Sequence, residues 1–331
     1  MYQTILQHLP LPHRLSFLGS PTPLQKSHLA WGDIALYWKR DDLTPYGLGG
    51  NKLRKLEFLM AEALEQKADL IITTGGTQSN HARLTAVVSA MLQIPCTLVI
   101  PGSDPQAWEG NLLLDRLAGA EIIPCGEEAL PQALARITSE KRALGYNPYA
   151  IPLGASNVLG ALGYFLAFFE LLEQTQDQGW VPDTIVCPIG SAGTLAGMVA
   201  ANSLLPQPLN LLGVSVWQPN STLYPLVRDL AAEVLQLLHV PSPLADFELT
   251  DQFIGAGYGI PTPEALRIIP ESFQTDGILV DPVYTAKGLA GIHSLAHQGF
   301  WPHNARVVFW HTGGSPAIFT EKYSSTILAS L

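Results

Sequence analysis

From Leu53 onward, segments with apolar residues at helical spacing alternate with short unbroken apolar runs. LRKLEFLMAEAL precedes LIITT, NHARLTAVVSAML precedes CTLVI, and NLLLDRLAGA precedes EIIP. Strands of a parallel sheet covered by helices have no solvent-facing side, so they read as continuous apolar runs. The alternation therefore predicts βαβ units. It resumes after residue 180 with TIVCPIG, a helix from about Thr194, LNLLGVSV and ARVVFWHTGG, around a polar, proline-containing stretch from 218 to 262. Both halves are α/β, and neither carries an evident repeat.

The pattern also places a division. The glycine-dotted segment YAIPLGASNVLGALGYF, residues 149 to 165, opens a long apolar helix, and a glycine pair stands at 49 and 50. We expect two doubly wound open sheets, with a small α/β domain, residues 51–164, inserted into a large discontinuous one, residues 1–50 and 165–331. In the helix that opens the small domain, Leu53, Leu56, Met60 and Leu64 share one face, which leaves Arg54, Lys55, Glu57 and Glu62 for the others.

Composition narrows the function. At 331 residues, 47% apolar and 14% charged, the chain can bury a large core, and a formal charge of −10 argues against a nucleic-acid partner. Cys96, Cys125 and Cys187 form no CxxC spacing and imply free thiols in a reducing compartment, hence a cytoplasmic protein. The N-terminal segment lacks a basic region followed by an apolar one, and the longest apolar runs are cut by Pro95, Pro101 and Pro188, so neither a signal peptide nor a membrane span is expected.

Open α/β sheets bind ligands at the carboxyl ends of their strands. Four loops there are unusual. In TTGGTQSNHAR, residues 73–83, Ser79 or Asn80 can cap the following helix or turn outward to a ligand carboxylate. In PIGSAGTLAG, residues 188–197, backbone N–H groups from Ser191 to Thr194 at a helix N-terminus would cradle a phosphate, or simply make a tight turn. In FIGAGYGIPTPE, Pro261 and Pro263 and the lack of a preceding strand exclude a dinucleotide fingerprint and leave a glycine-hinged loop presenting Tyr258. The last comprises DPVYTAKGLAGI, with Tyr284 at a helix start, and VVFWHTGGSPAIF, with Thr312 at a strand end. His293 and His297 lack the Glu of H-E-x-x-H and are read as packing or exposed residues, so no metal is expected. No G-x-S-x-G elbow supports a serine hydrolase.

Lys52 stands at a helix N-terminus, where a cation is disfavoured. It is either an exposed surface residue or an amine whose pKa is lowered for attack on an aldehyde. Together with a phosphate cradle, the aldehyde would be pyridoxal 5′-phosphate.

The segments GGNKLRKLEFL, TTGGTQSNHAR, NLLLDRLAGA, GSAGTLAG, GYGIP, DPVYTAKG and HTGGSPAIF, in that order between about residues 10 and 325, resemble the 1-aminocyclopropane-1-carboxylate deaminase and D-cysteine desulfhydrase family. The resemblance implies the pyridoxal-phosphate fold type II of tryptophan synthase β and a homodimer. It implies that Lys52 holds the cofactor as a Schiff base and takes the substrate Cα proton, that Asn80 bonds the cofactor's phenolic oxygen, and that Ser191, Ala192, Gly193 and Thr194 hold its phosphate. Thr312 would face the pyridine nitrogen, Ser79, with Asn80 and His81 beside it, would bind the substrate carboxylate, and Tyr258, Tyr284 and Thr285 would flank the substrate.

Ring-opening deaminases of this family have Glu after the second tyrosine and Leu before the last glycine pair, where this chain has Thr285 and Thr312. A weak electron sink at Thr312 suits elimination. The expected reaction is β-elimination of D-cysteine to pyruvate, ammonia and hydrogen sulfide. The competing readings are the cyclopropane deaminase, another β-eliminating sulfur lyase, a nucleotide-dependent oxidoreductase on a similar sheet, and a non-catalytic small-molecule binding protein on the same fold.

Overall fold

The computed structural model describes residues 2–331. Its ten strands are β1 Leu24–Lys26, β2 Ala35–Arg40, β3 Leu70–Thr74, β4 Cys96–Ile100, β5 Glu121–Pro124, β6 Pro148–Ile151, β7 Thr184–Ile189, β8 Asn210–Ser215, β9 Glu248–Thr250 and β10 Arg306–His311. They form two sheets, a six-stranded one ordered β1-β2-β10-β7-β8-β9 and a four-stranded one ordered β5-β4-β3-β6. Every pairing is parallel except β1 with β2. The apolar runs at β3, β4 and β7 are buried at every position, because helices cover both faces of each sheet. The N-terminal strands β1 and β2 join the sheet of the C-terminal half, with β2 in register against β10 from Ala35–Arg306 to Arg40–His311.

The stretch from 218 to 262 holds an element that its prolines disguise. A helix runs from Asn220 to Leu237 with Pro225 inside it, and Val227, Leu230, Ala231, Val234 and Leu235 are buried at helical spacing. Pro225 lies in the second turn, so it costs the helix one early hydrogen bond and not its continuity.

The helix Lys52–Glu65 corrects the assignment of its faces. Arg54, Lys55 and Glu57 are buried, and Leu64 is exposed. The reason lies in its partner, the helix Val158–Asp177, which crosses it so closely that a Cβ on Gly163 would stand 2.3 Å from the Arg54 carbonyl oxygen. That contact turns the polar face inward, where Arg54 and Glu57 are paired within the protein. Arg54 binds Asp41 through Nε and Nη2 at 2.9 Å and Glu170 through Nη1 and Nη2 at 2.8 Å. Lys39 contacts Glu170, and Tyr164 Oη and Trp310 Nε1 donate to Asp41 at 2.5 and 2.8 Å. Glu57 accepts from Arg14 and from the backbone of Phe17 and Leu18.

The helix Val158–Asp177 is long and apolar enough to cross a membrane. Here 12 of its 20 residues are buried, and Phe165, Phe168 and Phe169 belong to the main apolar core. His293 packs edge-on against Trp31 and tilts over His297, and among the described residues no group of three or more His, Cys, Asp or Glu could hold a metal.

Candidate active site

The carboxyl ends of β3, β7 and β10 face one cavity of about 220 Å³. Lys52, Ser79, Asn80, His81, Ser191, Thr194, Tyr258, Tyr284 and Thr312 line it, so residues scattered over 260 positions of chain converge. Ala192 and Gly193 complete the turn between Ser191 and Thr194 behind the lining. Thr285 does not reach the cavity. It is fully buried, and its hydroxyl lies 2.7 Å from Asp281 Oδ1 because Asp281 caps the helix Thr285–His297, accepting also from the N–H groups of Val283, Tyr284 and Thr285. Direct contact of Thr285 with a substrate is therefore corrected. A glutamate at this position would set one carboxylate against another.

Lys52 is the first residue of its helix, and Gly49 delivers it there. With φ at +69°, Gly49 closes a turn in which a Cβ would stand 1.9 Å from the Asp42 carbonyl oxygen. Only glycine fits. Burial lowers the Lys52 ammonium from the ordinary 10.5 to about 8, and Nζ donates to the Gly154 carbonyl at 3.3 Å. One turn along, Lys55 Nζ donates to the same carbonyl at 3.3 Å. Burial and then Lys52 push Lys55 well below the lysine range.

Lys55 was not among the residues expected from sequence, although the i, i+3 spacing from Lys52 places both on one helix face. It leads to the glycine-rich turn. A Cβ on Gly193 would lie 2.9 Å from Lys55 Nζ and 2.9 Å from Ser156 Oγ. Ser156 Oγ donates to Ser191 Oγ at 2.8 Å and accepts from Gly193 N at 3.2 Å. Lys55, Ser156, Ser191 and the N-terminus of the helix Gly193–Asn202 thus surround a turn kept open by a glycine, a donor set suited to a phosphate dianion.

On the opposite wall, Ser79 caps the helix Asn80–Met91, its Oγ accepting from Ala82 N at 3.1 Å. The hydroxyl hydrogen is left for the cavity, so capping and ligand contact coexist. His81 presents its ring, while both nitrogens face protein partners. Thr73 Oγ1 donates to the Ile151 carbonyl, so at 2.7 Å it accepts from His81 Nε2, and Nδ1 faces Thr85. Burial, with Lys52 and Lys55 nearby, holds His81 well below its ordinary value, hence neutral.

Tyr258 and Tyr284 share a hydrogen bond of 2.5 Å between their hydroxyls. Burial raises both phenols, so both are neutral, and whichever hydroxyl accepts from the other keeps its own hydrogen to offer. Tyr258 rides on a loop in which Gly255, Gly257 and Gly259 all have positive φ, and Lys287 Nζ holds that loop through the carbonyls of Ile254 at 2.7 Å and Gly257 at 3.0 Å. Tyr258 also lines a second, outer cavity with Gln78, Glu109 and Lys322, so it stands between the two.

These features define an α/β enzyme built to hold a phosphorylated aldehyde beside a depressed lysine. Residues 15–313 match the family described as pyridoxal-phosphate dependent enzyme, and the chain belongs to it. It is 40% identical over 315 residues to the D-cysteine desulfhydrase of Yersinia enterocolitica, covering 92% of this chain and 95% of the relative. The D-cysteine desulfhydrase of Yersinia pestis is 40% identical over 327 residues, covering 96% and 98%. A crystal structure of an ACC deaminase homologue superposes over the whole of both chains with a TM-score of 0.91 at 33% identity. The diaminopropionate ammonia lyase of Escherichia coli shares the fold, with a TM-score of 0.69 at 17% identity, over 94% of this chain and 87% of that one.

Proposed function

We propose that the protein eliminates sulfide from D-cysteine, converting D-cysteine and water to pyruvate, ammonia and hydrogen sulfide. One observation carries the reading. The relatives named D-cysteine desulfhydrase match this chain over almost their whole length, and Lys52, Ser79, Asn80, Tyr258, Tyr284 and Thr312 line one cavity.

The cofactor, when bound, supplies an aldehyde for the amine and an electron sink for the negative charge left at Cα. Ser191 to Thr194, with Ser156 and Lys55, would hold the phosphate. Asn80 would donate to the phenolic oxygen, and Thr312 would lie on the side of the ring nitrogen. Lys52 carries the cofactor and moves the Cα proton, because at a pKa of about 8 it exchanges protons near neutrality. Ser79 orients the substrate carboxylate, and the tyrosine pair bounds the leaving group and supplies a proton.

The lining favours elimination over ring opening. Among the described residues it includes no Asp or Glu, so its acids are phenols, hydroxyls and Lys52. Sulfide departs as a weakly basic anion and needs little acid assistance, whereas a ring carbon needs a strong acid or a nucleophile. Three buried free thiols support a cytoplasmic location, and the family resemblance supports a homodimer, which light scattering on the purified protein tests.

The test is product formation by the yellow holoenzyme on D-cysteine, L-cysteine, β-chloro-D-alanine, L-cysteate and 1-aminocyclopropane-1-carboxylate. Pyruvate released fastest from D-cysteine supports the reading. Rapid 2-oxobutanoate from the cyclopropane, or no pyruvate from D-cysteine, overturns it.

A further inference from the structure

We propose that Asn111 is a positioning residue that fixes which end of the Asn80 side-chain amide meets the cofactor. The inference rests on the proposed placement of Asn80 at the cofactor's phenolic oxygen.

Hydrogen-bond polarity propagates outward from groups that have only one role. Asn111 is fully buried, one residue into the helix Gly110–Leu117. Its side chain lies 2.9 Å from the Gln78 carbonyl oxygen, which can only accept, so the atom there is Nδ2. The same Nδ2 lies 3.0 Å from the Asn80 side chain and offers its second hydrogen, so the Asn80 atom facing it must be Oδ1. Nδ2 of Asn80 is then the end left to the cavity that Asn80 lines. An amide is otherwise free to turn over, because its two ends have the same shape.

The surroundings lock Asn111 in turn. Gln78 Oε1 accepts from Asn111 N at 2.8 Å, and Gln78 Nε2 donates to the Glu109 carbonyl at 3.1 Å. Each residue of the pair thus grips the other's backbone neighbourhood, clasping the loop before Asn80 to the start of the helix. Asn111 Oδ1, by contrast, is buried without a hydrogen-bond partner. A buried unpaired acceptor is destabilising, so what Asn111 contributes here is its donor.

A phenolic oxygen that is to carry negative charge needs a donor beside it. The reversed Asn80 amide would present a carbonyl oxygen and repel it. Asn111 therefore acts on the cofactor through Asn80, without touching it.

The test compares Asn80→Ala, Asn111→Leu and the double variant, each loaded with pyridoxal phosphate. Two readouts are followed: the pH midpoint of the bound cofactor's visible absorption, and the rate of cofactor release. Loss of the donor to the phenolic oxygen is expected to raise the midpoint by about one unit, roughly the value of one hydrogen bond, and to speed release on the order of tenfold. Asn111→Leu is expected to move both readouts in the same direction as Asn80→Ala, and the double variant to match Asn80→Ala alone. A merely structural role for Asn111 would instead make the two effects add, and that result overturns the proposal. So does Asn111→Leu with wild-type readouts where Asn80→Ala has shifted them. If Asn80→Ala moves neither readout, the placement of Asn80 has failed and the proposal falls with it. Should Asn111→Leu not fold, Asn111→Ser takes its place, with the same non-additivity required.

Discussion

Replacing Lys287 with methionine isolates what holds the Tyr258 loop over the cavity. Lys287 is fully buried, and its Nζ donates to two carbonyls of the loop, Ile254 at 2.7 Å and Gly257 at 3.0 Å. Burial lowers the ammonium to about 8, with Asp281 opposing, so the donor is still mostly charged at neutral pH. Hydrogen bonds from a charged group contribute about 1.5–3 kcal/mol each, so losing two removes at least about 3 kcal/mol of docking energy. The loop between them is rich in glycine and gains the most entropy on release, whereas its far end stays tied by Tyr323 Oη to the Gly259 carbonyl at 2.8 Å. The expected result is a kcat lower on the order of 100-fold, the rate equivalent of about 3 kcal/mol. Cofactor content should be unchanged, and amide exchange should rise at residues 254–258 but not at Thr262. Tyr258→Phe should lower kcat without changing exchange. Wild-type exchange and turnover in Lys287→Met would refute the tether.

The contacts around the buried charges set four further outcomes. Arg54→Met leaves Asp41 buried without its ion-pair partner and Glu170 with Lys39 alone, and should destabilise the fold by about 3–5 kcal/mol, measured by urea unfolding. Burial would raise Asp41, but Arg54, Lys39 and Tyr164 hold it at about 2 against an ordinary 3.8. A depressed carboxylate stabilises above its unfolded value, so about 2 kcal/mol should be lost as pH falls from 4 towards 2, seen as a Tm that drops there and more weakly in Asp41→Asn. Capture of pyridoxal phosphate by the apoprotein should accelerate up to about pH 8 and then level, because about a tenth of Lys52 is neutral at pH 7; a rate still climbing towards pH 10 would contradict the lowered pKa. Lys55→Met should weaken binding of pyridoxal phosphate far more than binding of pyridoxal, compared by equilibrium dialysis, since Lys55 Nζ lies against the Gly193 turn proposed as the phosphate cradle.

What the sequence made legible follows a physical division. Strands β3, β4, β7 and β10 stood out because burial on both sheet faces leaves no Asp, Glu, Lys or Arg inside the run, the one exposed position being Arg306 at the start of β10. The loops after them stood out because clustered Ser, Thr, Asn and Gly exceed what turns need. The helix Asn220–Leu237 did not, since prolines at its start mask its period. Arg54 and Glu57 were left to the other faces of their helix because a periodicity argument cannot see partners such as Asp41 and Arg14, which lie elsewhere in the chain and make burial of charge tolerable. Thr285 was misplaced for a related reason. Its neighbour Tyr284 reaches the cavity, but successive residues of a helix point in different directions, and Asp281 claims the threonine. Asn111 and Lys287 act through other residues, and nothing in local composition marks such a role.

The cause of the low Lys52 pKa also changes. Position at a helix N-terminus would disfavour the cation, yet burial is the cause that the structure supplies. The pressure extends to its neighbours, since Lys52 lowers Lys55 and both lower His81, and no carboxylate among the described cavity-lining residues relieves them. Such a cluster is costly to assemble in an empty protein and favourable once an anion enters. A phosphate at the Gly193 turn would meet Lys55 first, because that is the ammonium nearest the cradle. It would restore the charge on Lys55 while leaving Lys52 beside the aldehyde and still desolvated. One helical turn thus separates the two lysines: burial without an acid favours the neutral amine at Lys52, and only an anion at the cradle would return the charge to Lys55.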